Sequence, residues 1–355
     1  MTWQTGCSRT TISTTASRMR RDPSAFPESL SEIFSQQLRS VGSLAGLYAQ
    51  IHETDAHNRL SPQSVDKAWQ LTSDSAVSPL PPLEAQPQLR ADMAILKTFG
   101  SRGVDILTAT NFQPNASKGR LSQSYAISPS AVEAHLHKAC VGGTGIILSE
   151  HAASSIPLLN VIPCSPATKK GKIGGRLTSN ASSNDARRGT YLNNPEVALK
   201  AERTWGKINH PTVTDIARVL LDEEATQGSR DNIVMWISDH KGAFTLPKFN
   251  PEHVHLMTSR LRSGHIFVHL YGNFGWTGMP FAFEVVTRVL RALIAFVIFG
   301  VVLMYCDDLI GISSRSQWKH DLRNAVTTIT TLLGPNAEES EKRRSSEDKN
   351  DPSLL

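Results

Sequence analysis

The chain has 355 residues, room for one large or two modest domains, and its 39% hydrophobic content supplies a core. A formal net charge of +5 suits a polyanionic partner. Cys7, Cys140, Cys164 and Cys306 are scattered, so they support neither a disulfide framework nor a zinc site, and a reducing, intracellular compartment is expected.

No apolar signal-type run follows Met1. The first 21 residues carry Arg9, Arg18, Arg20 and Arg21 and no acid. Mitochondrial transit peptides and disordered tails share that composition, and a tail is the simpler reading. From Pro27, Leu30, Ile33, Phe34, Leu38 and Val41 recur at helical spacing. Pro79, Pro81, Pro82 and Pro87 mark a linker. We therefore expect a disordered and helical N-terminal region at 1–90, a main domain at 91–337 and a polar disordered tail at 338–355.

Ser128-Pro129 opens a short helix that Gly142-Gly143 ends, and Ile146-Ile147-Leu148 reads as a strand. Gly142 to Gly145 lacks the Lys-Ser/Thr ending of a phosphate loop and reads as a turn. Thr168 to Thr178 is basic and glycine-bearing, with Lys172 and Arg176 as candidate phosphate contacts; a solvated basic loop fits its local sequence equally well. Thr212 to Asp222 reads as a helix, and Ile233 to Asp239 as an apolar strand ending in a carboxylate. Phe249 to Leu261 is expected to be helical. A metal role for its His253 and His255, with His265 and His269 nearby, is disfavoured because an H-x-H pair on a helix diverges. A helix is expected over about 281–297. The apolar run from Ala292 to Tyr305 falls short of the about 20 residues a bilayer span needs, so no membrane role is expected.

Two apolar runs, Val301 to Met304 and Leu309 to Ile312, flank Asp307 and Asp308. The pattern predicts a tight β-hairpin with the two carboxylates at its tip. Adjacent carboxylates on an apolar ribbon repel one another, and oxygen-only ligation suits Mg²⁺; an ordinary acidic turn shares the local pattern. Trp318 to Leu333 closes the series as a helix with an apolar stripe.

Taken together, these segments resemble the ordered motifs of reverse transcriptases. Asp239, with Ala243 and Phe244 after it, resembles motif A. Phe274-Gly275-Trp276-Thr277-Gly278-Met279-Pro280 resembles motif B, and Tyr305-Cys306-Asp307-Asp308 resembles the Tyr-x-Asp-Asp box of motif C. Leu333-Gly334 with Lys342 resembles motif D, and the cluster bearing Lys172 and Arg176 resembles the fingers hairpin. The chain departs from the family pattern at Asn180, where Asp is usual, at Phe274, where Gln is common, and at Met279, where Ser is common.

The resemblance implies an α+β fold: a right-hand polymerase palm, an antiparallel sheet backed by helices, with fingers and with the thumb largely missing. It implies an RNA-directed DNA polymerase domain of a retrotransposon, or an inactive remnant of one that binds nucleic acid weakly. An RNA-directed RNA polymerase ranks below both, since such enzymes usually carry Gly-Asp-Asp and a polar residue at the Phe244 position. The implied cofactor is a pair of Mg²⁺ ions, or Mn²⁺, on Asp239, Asp307 and Asp308. The implied partners are an RNA or DNA template with primer, and a dNTP. Lys172 and Arg176 would meet the triphosphate, Phe244 the sugar, Gly275 the nucleotide and template, Tyr305 the primer end and Lys342 the pyrophosphate.

Overall fold

The computed structural model describes residues 26–53, 60–114, 121–167, 177–183, 191–338 and 340–347. In chain order its helices are α1 (Phe26–Val41), α2 (Leu44–Glu53), α3 (Pro62–Ser75), α4 (Pro87–Arg102), α5 (Gln123–Ile127), α6 (Pro129–Val141), α7 (Glu150–Ser154), α8 (Pro195–Trp205), α9 (Val213–Gln227), α10 (Gly278–Val297) and α11 (Trp318–Leu333). Its strands are β1 (Gly145–Leu148), β2 (Cys164–Pro166), β3 (Leu177–Ser179), β4 (Ile233–Asp239), β5 (Thr258–Arg260), β6 (Ile266–His269), β7 (Val301–Tyr305), β8 (Asp308–Ser314) and β9 (Arg344–Ser345). This mixture of helices and antiparallel sheets agrees with the α+β expectation. No helix among the described residues is long and apolar enough to cross a membrane.

The chain forms two compact units. One comprises Met1–Ala56, Arg102–Ala201 and Lys248–Met279; the other comprises His57–Ser101, Glu202–Pro247 and Pro280–Leu355. The boundary expected near residue 90 lies inside the second of these units. No boundary falls in the proline-rich stretch: a 3-10 turn spans Leu83–Ala85, and Pro87 opens α4. Proline suits the first turn of a helix, where its missing N–H costs nothing, so it opens structure here rather than breaking it.

The first unit is built on the antiparallel sheet β1-β6-β5, in which Gly145 faces His269 and Thr258 faces Val268. The apolar spacing of α1 buries Leu30, Phe34 and Leu38, and α1 packs against β1. Tyr48 of α2 donates to the Leu270 carbonyl at 3.2 Å. The expected helix over 249–261 is absent. A 3-10 run at Pro251–Leu256, capped by Asn250, leads instead into β5. Val254 and Leu256 are buried, and the histidines alternate with them. His253 Nδ1 accepts from the Ile106 amide at 3.2 Å, a structural role.

The second unit is built on the antiparallel sheet β7-β8-β4-β9. Helices α9 and α11 pack against β4 and β8, and α3 packs against α11. Arg288 of α10 makes a two-pronged bond to Asp92 of α4, at 2.9 and 2.7 Å, and donates to the Trp205 carbonyl at 2.7 Å. Burial opposes its charge, but the Asp92 carboxylate outweighs that and raises the Arg288 pKa above its ordinary value. Of the tail expected at 338–355, residues 339 and 348–355 lie outside the described residues. Ser340–Lys342 forms a 3-10 turn and Arg344–Ser345 forms β9, because the outer edge of β4 offers backbone partners to that segment.

Two predictions follow from buried ionisable groups. Asp92→Ala strands the Arg288 guanidinium and should cost about 3–5 kcal/mol in denaturant unfolding; a loss within error of zero would show that the pair is not buried. His269 is held neutral by burial, which pushes its pKa down to about 3. The unfolded chain therefore binds the extra proton as pH falls below about 6.5. Stability of this unit should drop towards pH 3 with a slope of up to about 1.4 kcal/mol per pH unit, and His269→Gln should flatten that slope.

Candidate active site

The four-stranded sheet has two unlike faces. Val234, Trp236 and Ser238 on β4, Leu309, Gly311 and Ser313 on β8, and Val302 and Met304 on β7 are all buried. The opposite face carries Met235, Ile237, Leu303 and Ile310, all half-buried, and ends in Asp239, Asp308 and the exposed Tyr305. Strand alternation alone separates the two sets. The buried face is pinned to α11. Trp236 Nε1 donates to Ser313 Oγ at 3.0 Å, and that hydroxyl donates to Asp321 at 2.7 Å. Asp321 also accepts the Phe299 and Gly300 amides, at 3.1 and 3.0 Å. A side chain at Gly311 would overlap the Trp236 indole, so only glycine lets the ring lie there.

That register brings the carboxylates together. Asp239 at the end of β4 sits directly across from Asp308, the first residue of β8, and Tyr305 sits across from Asp308 on the other side. Directly opposed residues share a face, with Cβ atoms about 4.5–5.5 Å apart. The hairpin is present, but its tip is one residue earlier than expected: Cys306 and Asp307 form the two-residue turn. Cys306 has φ 55°, whereas Asp307 is not among the positive-φ residues, the sign pattern of a type II′ turn. A non-glycine residue there costs roughly 1–2 kcal/mol.

His240 offsets part of that strain. Its amide and its Nδ1–H both donate to the Asp307 carbonyl, at 3.0 and 2.7 Å. Burial lowers its pKa, so the ring is held neutral against the turn. Sequence reading passed over this residue; its position next to Asp239 was the available signal. His210 was also missed. Its ring lies 4.8 Å from that of Tyr305, and its Nδ1 is 3.9 Å from the buried Glu284 carboxylate. Nothing in the sequence joins positions so far apart.

Lys342 does not stand apart as a free pyrophosphate contact. Its ammonium is bonded to Asp239 Oδ2. Phe244 sits in a 3-10 turn, half-buried, with its ring edge-to-face on Phe283 at 5.7 Å. That contact braces the ring.

Gly275 belongs to the other unit. Its φ is 116°, and any side chain there would overlap the Ser179 carbonyl. Asn193 clamps this loop, donating to the Gly275 carbonyl at 2.6 Å and accepting from the Thr277 amide at 2.7 Å. Asn193 is a further residue that sequence reading did not assign. Asn180 donates its amide to the Pro163 carbonyl at 2.7 Å. Lys172 and Arg176 lie outside the described residues.

The donor chemistry of Asp239, Asp307 and Asp308 is carboxylate oxygen only, which suits a hard divalent ion. Asp239 already attracts a cation, the Lys342 ammonium. No group of three or more His, Cys, Asp or Glu among the described residues is placed to hold a metal ion.

No protein-family model matches the sequence, and no curated protein matches it. Among solved structures, the chain is similar to the crystal structure of the prototype foamy virus protease–reverse transcriptase (native), with 13% identity and a TM-score of 0.39. The match covers 79% of this chain and 33% of that one, so the chain spans about a third of its neighbour's length. The likeness is weak, and the carboxylate geometry stands independently of it.

Gly311→Val should force the Trp236 ring aside and destabilise the protein by about 1–3 kcal/mol. Thermal unfolding measures this, and an unchanged Tm would mean that the indole does not lie over residue 311.

Proposed function

We propose that the chain is a reverse transcriptase domain: an RNA-directed DNA polymerase of retrotransposon type, acting on a primed RNA or DNA template with dNTPs. The observation that carries this reading is the register that opposes Asp239 and Asp308 across adjacent strands, with Asp307 in the turn between β7 and β8. Asp239 and Asp308, nearly 70 residues apart in the chain, end one face of the sheet, and Asp307 lies in the adjoining turn, in the order of motifs A and C.

In this reading the second unit supplies the palm. Asp239 and Asp307 would be the chief ligands of Mg²⁺, and Asp308 would be peripheral. When bound, the ions supply charge neutralisation of the triphosphate and a lowered pKa at the primer 3′-hydroxyl. The chain's own residues do the positioning. His240 holds the Asp307 backbone, so that carboxylate starts from a fixed turn. Tyr305, 52% exposed at the end of β7, offers a ring beside the carboxylates on which the primer end packs. Phe244, braced by Phe283, blocks the space of a ribose 2′-hydroxyl and selects dNTPs. The tightly built Gly275 loop lets backbone approach nucleotide and template. Lys172 and Arg176 bind the triphosphate as charge and donor fork.

A second reading is a catalytically inactive remnant that still binds nucleic acid. The Lys342 bond favours it, because it places a positive charge on a principal ligand.

Primer extension on poly(rA)–oligo(dT), with Mg²⁺ and dTTP, separates the two readings. The parent chain should extend the primer, and Asp307→Asn should lose activity on the order of a hundredfold or more, as when a main stabiliser of transition-state charge is removed. Folded parent protein that extends nothing would rule out the polymerase reading.

A further inference from the structure

We propose that Lys342 is a built-in counter-ion that closes the carboxylate site to divalent ions, and that an ion enters by displacing it. The proposal rests on the reading of Asp239 as a metal ligand and adds a competitor for it within the same chain.

The ammonium is not a loose surface charge that happens to reach an acid. Three separate anchors hold the segment that carries it. Arg343, the next residue, makes a two-pronged bond to Glu338 at 2.6 and 2.7 Å. The Glu338 side chain is only 4% exposed and also accepts from Ser238 of β4 at 3.2 Å. Arg344 and Ser345 pair as β9 with Ile237 and Trp236, and the Ser346 amide donates to the Met235 carbonyl at 2.8 Å. Glu347 accepts from Trp318 Nε1 at 3.1 Å and pairs with Arg315 at 2.9 Å. Lys342 is thus delivered to Asp239 by backbone pairing and by ion pairs on both sides of it.

The exposures fit a displaceable plug. The Asp239 side chain is 11% exposed and that of Lys342 is 47% exposed. The carboxylate stays put while the lysine stem can swing into water. An Mg²⁺ or Mn²⁺ ion needs the same oxygen lone pairs that accept the ammonium proton, and its charge repels the ammonium. Without either cation, Asp239 would face the like charge of Asp308 directly across the strand pair, which is unfavourable. Lys342 relieves that repulsion when no ion is bound.

The test uses the full chain and Mn²⁺ alone, with the loss of the free-ion electron paramagnetic resonance signal as readout. Lys342→Met keeps the aliphatic stem and removes the charge; circular dichroism checks the fold of each variant. Its Mn²⁺ affinity should exceed the parent's by roughly fivefold, the upper worth of a half-exposed ion pair. Arg343→Ala, which loosens the anchor, should raise affinity by a smaller factor, and Asp239→Asn should abolish the site. If Asp239→Asn loses binding while Lys342→Met matches the parent or binds more weakly, the plug is overturned and the metal reading survives. If Asp239→Asn binds Mn²⁺ as tightly as the parent, the ion sits elsewhere, and both fall. If Lys342→Met binds no Mn²⁺, the plug is overturned as well.

Discussion

Everything at the carboxylates depends on one hydrogen-bonded chain beneath them. Trp236, Ser313 and Asp321 link β4, β8 and α11 through two bonds, and Asp321 adds the amides that start β7. A strand that slips by one residue turns every side chain to the opposite face. A slip of β8 against β4 would put the Trp236 ring over a bulky neighbour instead of Gly311. It would also send Asp308 under the sheet, away from Asp239. The polar chain and the glycine thus fix from below a geometry that is used on top. A buried aspartate is expensive unless all its acceptor capacity is taken up, so the same group that specifies the register also punishes its loss.

Much of this was legible in the sequence, for identifiable reasons. The runs Ile233–Asp239 and Val301–Ser314 announce strands because their alternating and apolar patterns leave few alternatives. The acidic pair marks the hairpin because few sequences place two carboxylates between such runs. The α1 stripe and the α11 stripe were readable from helical spacing. The turn position was missed by one residue because an Asp-Asp pair looks like a loop tip, while strand pairing with both Tyr305 and Asp239 takes Asp308 into β8. The stretch from Phe249 to Leu261 was misread because its spacing admits both periods, and the tertiary pairing of β5 with β6 decides between them.

Illegible were the partners that only folding brings together. His240 on the Asp307 carbonyl, His210 on Tyr305 and Asn193 on the Gly275 loop are each ordinary polar residues in sequence. Their roles arise from contacts between separated segments. The polar segment from Glu338 reads as a tail because its composition is that of a tail. Composition does not reveal that a sheet edge lies open to receive it, nor that Glu338 becomes buried between Arg343 and Ser238.

The late position of that segment also has a bearing on how the protein is made. Lys342 follows Asp239 by 103 positions, and among the described residues the outer flank of β4 from Met235 to Lys241 is joined by residues 337, 338 and 342–346. On the ribosome, β4, β7 and β8 can pair before this last stretch has emerged. The nascent sheet then shows a bare strand edge, the kind of surface that recruits other chains, and an Asp239 that lacks the Lys342 ammonium. Arrival of residues 340–346 seals the edge and neutralises Asp239 in the same event. The segment around β9 is thereby the closing piece of the sheet as well as the source of the charge that covers Asp239.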